Sequence, residues 1–209
     1  MRLLPFGPGA LLVEVADDAQ VRGLYAHLLR ARVAGQLYAV DVVPAARTVL
    51  VDGLRGPDDT AAARAAVVGW DGLSVPAASV PGDVVVVTVR YDGADLAEVA
   101  RVAGLTVEEV VRRHADADYE VAFCGFQPGF AYLTGLPERL RLPRRAVPRT
   151  HVPAGSVAVA GEYAGVYPRA GPGGWHLLGR TGLVLFDPAR EPAALLAPGM
   201  RVRFEAVPR

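Results

Sequence analysis

The chain contains no lysine and no asparagine in its 209 residues, so every cationic side chain other than histidine is an arginine. The lack of lysine excludes a Schiff base, a lysine general base and the lysine of a Walker phosphate loop. The matching enrichment in Ala, Val, Arg, Gly and Pro is what a GC-rich coding sequence produces. Cysteine is almost as scarce. Cys124 stands alone, which excludes an internal disulfide and a cysteine-based zinc site. The histidines, His27, His114, His151 and His176, are scattered without ligand spacing such as HxxxH, so no metal site is expected. Net charge is lacking too: 22 basic residues balance 22 acidic ones, and no global field draws the chain to nucleic acid. No apolar run approaches the roughly 18 residues that span a bilayer. The opening MRLLPFGPGALLVEVA is broken by Pro5, Gly7, Pro8 and Gly9 and carries Glu14 where a signal peptide stays apolar. A cytoplasmic protein without a membrane partner is expected.

What is present builds an ordinary core, since 52% of the residues are hydrophobic. Ala10–Ala16 has strand character. Asp17-Asp18 then offers an N-cap to a segment whose Val21, Leu24, Tyr25, Leu28 and Leu29 fall at helical spacing through Arg32. Strands are expected near 37–43 and 48–52, and Asp58-Asp59 opens a second helix through about Trp70. The Ser-, Ala- and Pro-rich stretch from Leu73 to Pro81 reads as a connector. These elements define an expected N-terminal α+β domain over 1–80, with a second domain over 81–209. The second opens on VVVVTVRY, a β-branched run at 84–91, and continues with short helices at 95–103 and 106–114. Thr106 and Glu109 have the spacing of a capping box. From Tyr119 onward, β-prone pieces (YEVAFCGF, SVAVAGEYAGVYP, WHLLGR, LVLFD, MRVRFEAV) alternate with Gly- and Pro-dense turns, the texture of a barrel or sandwich. One short helix is expected at 192–196.

The stretch GPGGWHLLGRT, 171–181, comes within one letter of a phosphate loop, with Arg180-Thr181 where Lys-Thr would stand. A phosphate loop opens a helix, but strand-prone GLVLFDP follows Thr181, and Trp175 occupies the loop. The stretch is a mimic. It is either a glycine turn serving the fold or a loop whose Gly173 and Gly174 amides approach a ligand beside the flat wall of Trp175.

Read as a unit, Phe123–Thr181 resembles the family of the B component of 5-oxoprolinase, also called the KipI or allophanate hydrolase subunit 1 family and part of the carboxyltransferase-domain group. The segments GFQPGFAYL, PRR, VPAGSV, AGEYAGVYP and GPGGWHLLGRT occur in the family's order, and the upstream DLAEVA…GL…EEV…RH…YEV pattern fits as well. Ala131 and Ala170 stand where Pro and Ser are more usual, and the segment around 91–95 looks shortened. The resemblance implies a small α+β N-terminal domain followed by a cyclophilin-like β-barrel. It implies a hydrolase component with no tightly bound cofactor. That component works with a homologous 5-oxoprolinase C component (KipA-like) and an A component in the ATP-dependent opening of 5-oxoproline to glutamate, with Mg²⁺ accompanying the ATP. Two other roles occur among such proteins: a regulatory module that inhibits a sensor histidine kinase, and a component of allophanate or urea metabolism.

Within that frame each candidate residue has a structural and a functional reading. His114, at a helix end, is a cap or surface group, or else it transfers protons as a catalytic residue or binds a carboxylate. Phe126, Phe130 and Tyr132 are core aromatics, or they wall a flat ring-shaped amide with the Tyr132 hydroxyl presented to it. Arg144, Arg145 and Arg149, held between Pro143 and Pro148, form a solvated or partner-facing surface, or they supply guanidinium forks for a carboxylate or phosphate, Arg149 serving catalysis. Ser156 reads as a turn hydrogen bonder more readily than as a ligand contact, and Arg180-Thr181 as a further anion contact. Cys124 reads as buried and inert.

Overall fold

The computed structural model describes residues 1–72 and 84–208. The expected connector at 73–81 therefore lies outside the described residues. The chain divides into two compact units, Met1–Pro81 and Gly82–Arg209.

In the first unit, β1 (Arg2–Pro5), β2 (Ala10–Glu14), β3 (Asp41–Pro44) and β4 (Thr48–Asp52) form an antiparallel sheet in the order β1-β2-β4-β3. Alternate residues Leu11, Val13, Val42, Val49 and Val51 are buried against α1 (Asp18–Val33) and α2 (Pro57–Val68). Helix α1 starts where expected, because the Asp17 carboxylate accepts the Gln20 N–H at 2.8 Å. Helix α2 begins instead at Pro57, a residue suited to a first turn because it has no N–H to satisfy. Two expectations shift. β1 forms despite the prolines and glycines around it. The strand expected near 37–43 is confined to Asp41–Pro44, because the Gln36 and Leu37 N–H groups bond back to Ala31 and close the helix end. Leu37 and Ala39 still pack into the core.

The second unit is a rolled seven-stranded sheet ordered β12-β9-β10-β7-β6-β13-β5. Its strands are β5 (Val85–Val89), β6 (Tyr119–Cys124), β7 (Ala131–Thr134), β9 (Ser156–Ala160), β10 (Tyr163–Val166), β12 (His176–Arg180) and β13 (Arg201–Ala206). Only the β13–β5 pairing is parallel. The edges meet at Arg90 and Arg180, which exchange two backbone hydrogen bonds of 2.9 Å and nearly close the barrel. Gly179 permits this approach, since a Cβ there would collide with the Arg90 carbonyl.

Helices α3 (Leu96–Ala103) and α4 (Val107–Ala115) bury Leu96, Val99, Ala100 and Val110 in the barrel's core, the i, i+3, i+4 spacing of an amphipathic helix. Gly104, in the left-handed region at φ 64°, ends α3. The capping box at α4 is complete: Glu109 N–H donates to Thr106 Oγ1 at 3.1 Å, and Thr106 N–H to Glu109 Oε2 at 2.8 Å. The helix expected at 192–196 is absent. Its backbone pairs with the 185–187 stretch instead, through Asp187 N–H to Ala193 and Leu195 N–H to Leu185, so LVLFD forms no regular strand either. A two-stranded ribbon, β8 (Arg149–Val152) with β11 (Gly171–Gly173), completes the unit. Mixed α and β units with a nearly closed barrel-like sheet match the expected α+β class. Among the described residues, no helix is long and apolar enough to cross a membrane.

Candidate functional site

Asp95 immediately precedes α3, yet its side chain does not cap the helix. The carboxylate turns inward. Its Oδ2 accepts the Leu177 N–H at 2.8 Å, and its Oδ1 accepts Arg145 Nη1 at 2.8 Å and Arg149 Nη2 at 2.6 Å. Only 3% of the side chain is exposed. Burial alone would raise its pKa. The Arg149 hydrogen bond, the Leu177 N–H and the two guanidinium charges outweigh that and hold it below the usual carboxylate value. Two of the sequence-derived arginines thus converge on one carboxylate, and their second positive charge faces Glu98. Glu98, 3.5 Å from Arg145 Nη1, lies at the exposed edge. Arg145 Nε and Arg149 Nη1 remain buried without an acceptor. Arg144 is exposed.

A second apolar layer covers the outer face of the barrel around β7, β9, β10 and β12. It contains Phe130, Val152, Ala158, Ala160, Tyr167, Trp175 and Leu177, with Tyr132 and Tyr163 packed against it. Phe130 meets Tyr167 and Trp175 edge-on at centroid distances of 5.3 and 5.4 Å, while Tyr132 stacks on Phe123 at 4.3 Å. Phe130 and Trp175 are buried in this packing and offer a ligand no open wall. This corrects the ligand-facing reading for both. Phe126 is different. The residue is 56% exposed, and its backbone sits at φ 70°, a conformation rare for a bulky residue. Gln127 N–H bonds across it to the Gly125 carbonyl at 2.8 Å, forming a tight three-residue turn. Strain of this kind persists where the surroundings enforce it, often at ligand sites.

The glycine stretch serves the fold. Gly171 pairs with Val152 and Gly173 with Arg149, and a Cβ on Gly173 would strike the Tyr167 hydroxyl. The Gly174 carbonyl accepts the Arg145 N–H at 2.8 Å. The close approach that Gly173 permits is therefore to Tyr167, which corrects the expectation of a ligand-facing loop. Burial raises the Tyr167 pKa, opposed by a hydrogen bond from the Trp175 N–H and by the Arg144 charge.

Three further residues are placed elsewhere. His114 is fully buried, shares a 2.8 Å hydrogen bond with Tyr91, accepts the Tyr119 hydroxyl on its carbonyl and packs on Phe204 at 4.5 Å. Burial lowers its pKa to about 3, so it is a neutral core residue, not a proton-transfer group at a ligand. Ser156 Oγ donates to the Pro153 carbonyl at 2.8 Å, so it is a turn hydrogen bonder with its proton committed. Arg180 lies at the barrel seam paired with Asp92 at 2.9 Å, and Thr181 Oγ1 accepts the Leu183 N–H at 3.2 Å. Both act locally rather than beside the Arg145–Arg149 pair. Cys124 is half-buried, and burial raises its thiol pKa, as suits an unreactive residue.

Two cavities flank these elements. One of about 1030 Å³ lies between α4 and β13 and touches none of the sequence-derived site residues. A smaller one of about 460 Å³ is lined by Arg144 and Arg145, and also by His176, which sequence reasoning did not single out. The chemistry follows the arginines, so the smaller cavity is the relevant one. Asp95 was also missed, because it reads as an ordinary helix start. Among the described residues, no group of three His, Cys, Asp or Glu is arranged to hold a metal ion.

Comparison with known proteins agrees with this architecture. The chain is 56% identical to the B component of 5-oxoprolinase from Escherichia coli O157:H7 over 121 residues, covering 56% of each chain. It is 47% identical to the Bacillus subtilis protein of the same name over 112 residues, covering 54% of this chain and 47% of that one. The matches thus span about half the length of these relatives. Among solved structures, TTHA0988 superposes with a TM-score of 0.77 at 36% identity, covering 96% of this chain and 40% of that one. The uncharacterized PH0987 of Pyrococcus horikoshii does so at 0.59 and 30%, covering 99% and 97%. The urea carboxylase of Kluyveromyces lactis shares the fold, with a TM-score of 0.68 at 19% identity over 100% of this chain and 23% of that one. Residues 1–196 match the family described as carboxyltransferase domain, subdomain C and D, and the chain belongs to that family.

Proposed function

We propose that the chain is the B component of an ATP-dependent 5-oxoprolinase. It would contribute one side of a composite site shared with a homologous C component and an A component. The observation that carries this reading is its 47–56% identity to proteins named as the B component of that enzyme. The site's chemistry is compatible with it. The exposed guanidinium of Arg144, beside a cluster in which Asp95 and Glu98 face Arg145 and Arg149, favours an acidic substrate over a cationic one. In the proposed reaction, the lactam oxygen takes the γ-phosphoryl group of ATP and releases ADP. Water then adds to the activated carbon, the ring C–N bond opens with a proton delivered to nitrogen to leave an acyl phosphate, and a second water releases phosphate from it to leave the carboxylate. Such chemistry depends on positioning and charge stabilisation more than on a covalent nucleophile.

The residues here do not fit a magnesium site. Magnesium takes one or two carboxylates plus phosphate oxygens, and Asp95 is already committed to Arg145, Arg149 and Leu177. No step is assigned to the ion on this chain.

The test is ADP release by this chain, alone and with its homologous partner, with and without 5-oxoproline. The expected result is release only when partner and 5-oxoproline are both present. Stimulation by a different small amide would keep the enzyme class and discard the substrate. No complex and no turnover would leave a regulatory binding module.

A further inference from the structure

The sheet of the first unit is apolar on both faces. One face, with Leu11, Val13, Val42, Val49 and Val51, is packed against α1 and α2. An antiparallel sheet covered on one side ordinarily turns polar residues outward. Here the outward positions carry Leu4, Leu12, Leu50 and Val43. The register sets them in one row across all four strands: Leu4 pairs with Leu12, Leu12 with Leu50, and Leu50 with Val43. Val43 is 36% exposed, and the three leucines are partly exposed. Among the described residues, none of the four is packed into any of the three apolar clusters.

Polar residues border the row on both sides. On one side Glu14 stands between Arg2 and Thr48, and it pairs with Arg2 at 3.0 Å. On the other, Ala10, Asp52 and Asp41 stand abreast. An apolar stripe rimmed by charges is the pattern of a protein contact surface. A strongly basic partner would oppose Arg2, and a strongly acidic one would oppose Asp41 and Asp52. A second copy of the same face opposes neither. Laid over the first about a twofold axis along the strands, midway between β2 and β4, it sets β1 over β3 and β2 over β4. Leu12 then meets Leu50 at the centre, and Leu4 meets Val43 at the flanks. Glu14 meets Thr48, and Asp52 meets Ala10, so no side chain meets a like charge.

We propose that this face joins two copies of the chain in a twofold dimer, with the sheets stacked about 10 Å apart. Three inter-strand spacings make the row only about 14 Å long, so the dimer is reversible, with a micromolar Kd. Dimerisation uses no residue of the arginine cluster or the glycine stretch and is independent of the reaction proposed above.

Sedimentation equilibrium of the full chain tests the contact. The wild type is expected to pass from monomer to dimer as its concentration rises through the micromolar range. Leu12→Asp and Leu50→Arg each set a charge against an apolar neighbour, and each is expected to weaken the dimer by about tenfold or more. Far-UV circular dichroism and Tm verify that both variants are folded. Mixing the two sets the new carboxylate against the new guanidinium at one central contact and leaves the native leucine pair at the other. Association is expected to return in the mixture. Val33→Asp, at a position 90% exposed on α1, controls for added charge and is expected to leave the equilibrium unchanged. The proposal is overturned by a wild type that stays monomeric up to millimolar concentration, by a dimer that survives either leucine substitution, or by a mixture that stays monomeric. A chain that is monomeric alone and uses this face only to hold its homologous partner overturns it as well.

Discussion

The two faces of the barrel wall around β9 and β12 are covered with different materials. Inside, Val157, Val159, Leu178 and Leu133 form an aliphatic core, and its one buried histidine, His114, is forced neutral. Outside, Ala158, Ala160 and Leu177 lie beneath Phe130, Tyr167 and Trp175, with the charges of Asp95, Arg145 and Arg149 paired at the edge of the layer. A barrel needs only the first layer to fold. The second keeps ionised groups and unpartnered polar atoms close to apolar surface, the mixture that ligand sites require. The interior is a device for stability and the outer layer a device for holding groups in place.

The largest expected effect comes from breaking the outer ionic cluster. Asp95→Ala strands two arginines and the Leu177 N–H and should cost about 4 kcal/mol in urea unfolding. Because the folded carboxylate titrates below its unfolded value, its stabilisation is present above the unfolded pKa and is lost as pH falls through the folded one. An acid-stability profile of Asp95→Ala that matched the wild type would contradict this account.

Adjacent leucines on β12 test the two layers directly. Leu178→Ala, in the interior, should cost about 3 kcal/mol and raise amide exchange across the whole barrel. Leu177→Ala should cost about 2 kcal/mol, with faster exchange concentrated in β8 and β11. Equal, global exchange in both variants would mean the layers are one cooperative unit.

His114 sharpens the interior side. With its folded pKa near 3, its stabilisation is complete above the unfolded value of about 6.5 and declines as pH falls toward 3. The slope in that window should reach about 1.4 kcal/mol per pH unit from this residue. His114→Gln, which keeps an acceptor for Tyr91, should flatten it; denaturant titrations between pH 4 and 7 would show whether it does.

The smallest stability change belongs to Phe126. Phe126→Gly relaxes the positive φ and loses an exposed ring, so folding should move by less than about 1 kcal/mol. Turnover of the assembled enzyme should nevertheless fall. Full activity in that variant would mean the strained ring does no chemical service.

Local signals in the sequence are legible because they act over a few residues. The Thr106–Glu109 capping box and the Asp17 cap are satisfied within one turn, and the phosphate-loop mimic can be dismissed from the residues that follow Thr181. His114 carries a signal of burial that the cap-or-surface reading passed over: Val107, Val110, Val111 and His114 recur on one helical face. Asp95 offers no comparable clue. Its partners lie 50, 54 and 82 residues away, and nothing near Asp95 distinguishes an inward carboxylate from a cap. The buried Nδ1 of His176 is equally hidden, because it depends on Pro143 reaching back 33 residues to take the other ring nitrogen.

The barrel's closure rests on a short clasp, in which Arg90 joins Arg180 and the backbone of Gly93 and Asp95 reaches Leu178 and Leu177. Asp95 is the last tooth of that clasp and also the anchor of Arg145 and Arg149. The rolled sheet and the arginine cluster are therefore fastened by one residue, and a pull on the guanidinium groups is transmitted to the rim where the cylinder would first unroll.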